Sequence, residues 1–173
     1  MGVTSSSPLS TRLIGLIGAA AVTAYAVFAA LQIQVLNPLA TMPGNTLREI
    51  HAAVGQTADT MGWGLMIVAL LIGPLIAVTV ATFAVRGRLR AGSVLMFMLA
   101  LLALGTPAYF VASFPAGMTL ADTFGVGGAD HAPWANILHA VSLLAVVALA
   151  VVMAVRAMRA GQRGGTASLG AQY

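Results

Sequence analysis

Four long stretches of the chain are unbroken by charge, and the polar residues gather between them. They run from about Leu13 to Leu36, Met61 to Val85, Ala91 to Phe114 and Trp134 to Val155, with no Asp, Glu, Lys or Arg inside any of them. Each supplies the roughly 20 apolar residues that a helix rising about 1.5 Å per residue needs to cross a bilayer core. The pattern predicts an all-α integral membrane protein with four transmembrane helices. Residues 1–160 then form a single four-span domain. The segment 161–173 is Gly-rich and poor in core formers, and is expected to be a disordered cytoplasmic tail.

Composition removes the soluble alternatives, because the chain is 60% hydrophobic with a mean hydropathy of +0.96. Charge then sets an orientation. Lysine is absent, and Arg12, Arg86, Arg88, Arg90, Arg156, Arg159 and Arg163 all fall on one side of the four stretches. By the positive-inside rule that side is the cytoplasm, which puts both termini inside a multi-pass cell (plasma) membrane protein. Glu49, Asp59, Asp122 and Asp130 fall on the other side with only Arg48. The net charge of +4 therefore reflects topology and anionic inner-leaflet lipid, and no nucleic-acid partner is expected.

The two outer connections resemble each other. "TLREIHAAVGQTADTMGW" (46–63) and "TLADTFGVGGADHAPW" (119–134) share the order Thr-Leu-x-acid, Val-Gly, Ala-Asp and Trp. The following spans also end alike, in "AVRGRLRAG" and "AVRAMRAG". This predicts two tandem helical hairpins, about 12–88 and 90–160, related by a pseudo-two-fold axis along the membrane normal. Span one must then be retained as a partner of span three, although "AVFAA" could pass for a signal-peptide cleavage site. "MGVTSS" fits the loose myristoylation pattern, but four spans already anchor the chain.

Within each connection the residues read first as helix starts. Thr46 with Glu49 fits a capping box, and Thr119 with Asp122 a poorer one. Asp59 and Asp130 stand where N-caps of spans two and four belong, with Trp63 and Trp134 as interface anchors one turn in. The connections, about 25 and 19 residues long, are expected to hold short helices lying over the bundle. Pro74 and Pro107 should kink spans two and three.

The histidines lie outside the repeat and are the chief candidates for a specific role. Asn136, His139 and Ser142, at i, i+3 and i+6, read as one polar stripe near the outer end of span four. Polar residues inside a span face the bundle or a cavity and are functional candidates by default. The plain alternative is interhelical hydrogen bonding, with Gln32, Gln34 or Tyr109 as partners. His51, His131 and Asp130 join them as candidate ligand or partner contacts.

Metal and enzyme chemistry find little support. The chain has no cysteine, which excludes disulfides and thiolate ligands. Haem at His139 or copper at the histidines with Met42, Met61 and Met118 stays a minor possibility, since no compact ligand spacing exists. No Ser-His-acid order, intramembrane carboxylate pair or phosphate loop stands out, so no catalytic residue is named. The expected function is a non-enzymatic membrane scaffold or accessory subunit. It would present structured outer loops to lipid, to other membrane subunits or to itself. The alternative is a redox-linked or ligand-binding membrane protein with a pocket near His139 under those loops.

Overall fold

The computed structural model describes residues 8–56 and 61–169, and every regular element among them is helical. Span one is α1 (Pro8–Leu31), a π-helical turn (Gln32–Leu36) and α2 (Asn37–Thr41). Next come α3 (Leu47–Gln56) and span two, α4 (Trp63–Val85). Span three is α5 (Ala91–Ala103) followed by α6 (Gly105–Phe124), and span four lies in α7 (Ala135–Leu169). Four helical stretches are long and apolar enough to cross a membrane: Leu9–Thr41, Trp63–Val85, Ala91–Phe124 and Ala135–Ala160.

At the arginine end the helices meet through small residues. A Cβ added at Gly15 would lie 3.1 Å from the Ala84 Cβ and 3.3 Å from the Ala81 Cα. Ala19, Val22, Ala77, Val80, Val94 and Met98 fill the rest of that cluster. Apolar tails solvate apolar side chains as well as a neighbouring helix does, so close backbone approach is what dispersion can reward. At the opposite, loop end the buried cluster is larger and includes Ile33, Ile50, Met66, Tyr109, Leu120 and Leu138. Here α3 lies over α6, burying Ile50 and Val54.

Several expectations are corrected. Only the first connection holds a helix of its own. In the second, the helix expected to start afresh at Thr119 is the end of α6, and Thr119 is buried mid-helix rather than capping anything. A helix already running from Gly105 supplies the carbonyls its N–H groups need, so no cap is required. Nor does Asp130 cap span four, because α7 starts only at Ala135 after a turn through Ala132–Trp134. Trp63 opens α4 and Trp134 immediately precedes α7, both about half exposed, rather than one turn in. Asp59 lies outside the described residues. The backbone of 161–169, expected to be disordered, continues α7, because each added residue of a formed helix gains a hydrogen bond without a new nucleus.

The two prolines act differently. Pro74 sits inside an unbroken α4. Pro107 accompanies a one-residue interruption of the helix at Leu104, between α5 and α6. Pro107 cannot donate to the carbonyl of Ala103. The Thr106 N–H also leaves the ladder and donates to the Ser142 Oγ at 3.0 Å. The break lets Gly105 press against Tyr25, whose ring would lie 2.6 Å from an added Cβ. A largely apolar cavity of about 380 Å³ opens beside it, between Tyr25, Leu70, Pro74, Leu104 and Pro107.

Candidate functional site: a polar lock at the loop end

The π-helical turn builds the site. In it the Asn37 N–H reaches back five residues to the Gln32 carbonyl. Gln32, Ile33 and Gln34 consequently all turn inward, where an α-helix would rotate at least one of them away. Asn37 follows on the same inward side and is buried.

Asn37 is the hub. Its Oδ1 accepts the backbone N–H of His131 at 2.6 Å and that of Ala132 at 3.3 Å. Gln32 donates through Nε2 to the Ala132 carbonyl at 3.3 Å. The Thr41 hydroxyl lies 3.3 Å from the His131 Nδ1. Span one thus supplies, from its own side chains, the partners that the turn before α7 would otherwise seek from a cap.

Span three adds a second attachment. The Tyr109 hydroxyl donates to the Asp130 Oδ1 at 2.7 Å, and the phenol itself is only 2% exposed. Gly117 is buried under the same loop, and a Cβ there would come within 2.5 Å of the Gly128 carbonyl oxygen. Residues 125–134 are therefore held by Asn37 and Gln32 on one side and by Tyr109 and Gly117 on the other.

The first connection is fastened more simply. Gln34 donates to the Met61 carbonyl at 3.3 Å and to the Met66 Sδ at 3.2 Å. Gly62 takes a left-handed φ of +65° against Pro115, whose Cβ would lie 2.5 Å from a side chain there. Only glycine meets both conditions. Thr46 and Glu49 form a reciprocal cap on α3: the Thr46 N–H donates to Glu49 Oε2 at 2.7 Å and the Glu49 N–H to Thr46 Oγ1 at 3.3 Å. The Thr46 N–H foremost, and its hydroxyl second, hold the exposed Glu49 carboxyl below the usual carboxylate range.

The expected Asn136–His139–Ser142 stripe is split. Ser142 is buried, donates to the Tyr25 hydroxyl at 3.2 Å and accepts from Thr106. His139 and Asn136 lie on the exposed side of α7. His139 still touches the bundle along one edge, with Nδ1 3.2 Å from Thr106 Oγ1 and its ring 5.8 Å edge-on from Tyr109. Asn136 makes no side-chain hydrogen bond among the described residues. The reason is drift: steps of three residues lag the 3.6-residue turn by about 60° each, so i and i+6 are about 120° apart.

The remaining candidates do not converge. His51 sits on α3 with a buried, unpartnered Nε2. Among the described residues no three His, Cys, Asp or Glu side chains come together in a way that could hold a metal ion. Nor does His139 line the cavity beside Tyr25.

Four residues of the lock escaped the sequence reading: Asn37, Thr41, Tyr25 and Thr106. Ending span one at Leu36 put Asn37 in a loop. The signal was the spacing of Gln32, Gln34 and Asn37, three amides crowded at one end of an otherwise apolar span. Searches against family models, curated proteins and solved structures return no match to this chain.

Proposed function

We propose that the chain is a non-enzymatic accessory or scaffold subunit of a membrane assembly, with its arginine end in the cytoplasm and its locked loops outside the plasma membrane. The observation that carries this reading is the position of Asn136 and His139. Gln32, Asn37 and Tyr109 of spans one and three are turned into the bundle and bonded there, whereas Asn136, with no side-chain hydrogen bond among the described residues, and His139, held on one edge by Thr106, lie on the open wall of α7. A polar side chain facing hydrocarbon without a partner costs several kcal/mol on water-to-alkane scales, about 4–8 for a hydroxyl or amide. A neighbouring helix that supplies hydrogen bonds removes that cost. The described cavity lies beside Tyr25 and is not lined by His139, which is why the pocket reading at His139 ranks second.

The two-hairpin duplication belongs to this proposal as its architecture. Its contacts have diverged, since α4 packs against both α1 and span three while α7 packs mainly on α5.

Purification from native membranes in a mild detergent tests the function. An assembly larger than one chain, without a visible chromophore, is the expected result. A monomer carrying a stoichiometric metal or an absorbing cofactor would overturn it in favour of the pocket.

A further inference from the structure

Helix α7 buries one heptad row against its own bundle, and of the rows it leaves exposed between residues 135 and 155 only one carries polar side chains. Leu138, Ser142 and Ala145 are buried against the neighbouring spans, and Leu149 and Val152 continue the row half-buried. Their spacing of 4, 3, 4 and 3 is that of a helix pair. A second row with the same period lies roughly 110° round the helix. It runs Asn136, His139, Leu143, Val146, Ala150 and Met153, and every member is exposed. The polar stripe therefore splits between the two seams, with Ser142 on the occupied one and Asn136 and His139 on the open one.

We propose that the open seam pairs with α7 of a second copy of this chain, side by side and parallel, about a two-fold axis along the membrane normal. This rests on the accessory-subunit reading and names the partner for it. The identity of the partner follows from hydrogen-bond capacity. An asparagine amide carries both donors and acceptors, and a neutral imidazole has one of each. A two-fold axis sets each residue against its own copy or one turn away, so Asn136 meets Asn136 or His139 and each finds its complement. With His139 Nδ1 engaged by Thr106, Nε2 is the nitrogen left to face the partner. A lone asparagine at a seam position is a known device for fixing register in a parallel pair. Below it Ala150 is small enough to let two helices approach closely.

Because the chain has no cysteine, single-cysteine variants report this contact without background. Leu143→Cys, Val146→Cys and Ala150→Cys lie on the seam, and Leu144→Cys and Val151→Cys face away from it. The full-length variants are oxidised in native membranes and read as dimer on a non-reducing gel. Seam positions are expected to cross-link about tenfold more than the two controls, since a disulfide needs Cβ atoms only about 3.5–4.5 Å apart. Asn136→Leu should raise the dimer dissociation constant about tenfold in detergent. Equal cross-linking from both faces overturns the proposal. So do seam adducts whose mass is not twice the chain, although these keep the accessory reading with a different partner. No adduct at any position, with a monomer in native membranes, removes both.

Discussion

The two ends of the bundle are held by different forces. At the arginine end Gly15, Ala81 and Ala84 bring helices together through shape, with the exposed Arg156 donating to the Met96 Sδ at that end. At the loop end Asn37, Gln32, Tyr109 and Asp130 tie three separated segments by directional bonds. Dispersion is tolerant, because many neighbouring arrangements gain nearly the same energy. A hydrogen bond between buried groups has few acceptable geometries and a large penalty when broken. The arginine end therefore supplies cohesion, and the loop end fixes which loop sits where.

The sharpest way to break this contrast is Asn37→Leu. It leaves two backbone N–H groups without an acceptor, at about 1–3 kcal/mol each. Unfolding in detergent should show a total loss of about 2–6 kcal/mol, against about 1–2 for Val94→Ala at the other end. Similar losses would mean that the two ends do not differ. Next comes Gly117→Ala, whose Cβ meets a backbone oxygen that cannot step aside. A loss of about 1–3 kcal/mol is expected, with faster amide exchange confined to 125–134. Exchange spread evenly over the bundle would argue against a local lock.

Tyr109→Phe removes a single hydrogen bond to an exposed carboxylate and should cost about 1 kcal/mol. Combined with Asp130→Ala, the double variant should lose less than the two single losses added together, and simple additivity would deny the contact. The smallest effect concerns Glu49. Its carboxyl is held below the usual range, so the cap on α3 is fully present above the ordinary value near 4.3 and fades as pH falls through the lowered one. Amide protection at the start of α3 should fall in that acid range, and Glu49→Gln should abolish the dependence.

What could be read from the sequence follows this division. The four spans were legible because length and apolar content are properties of a segment alone. The lock was not, because its pairs join residues about a hundred positions apart. Thr119 and Asp130 look like caps only if each loop is read without knowing that α6 runs on to Phe124. Asn136, His139 and Ser142 shared a stripe on paper, and only the packed bundle decides which side of α7 is inside.

The π-helical turn also bears on how this chain can change length. A π turn is an α-helix that has absorbed one extra residue while leaving the helix beyond it in its former register. Gln32–Leu36 is thus a place where insertion and deletion are cheap in an element that otherwise forbids both. Removing Val35 would restore a regular helix and keep Asn37 aimed at the turn before α7, at the expense of the inward set of Gln32, Ile33 and Gln34. The same deletion a turn earlier, in α1, would rotate Asn37 by about 100° and release the loop.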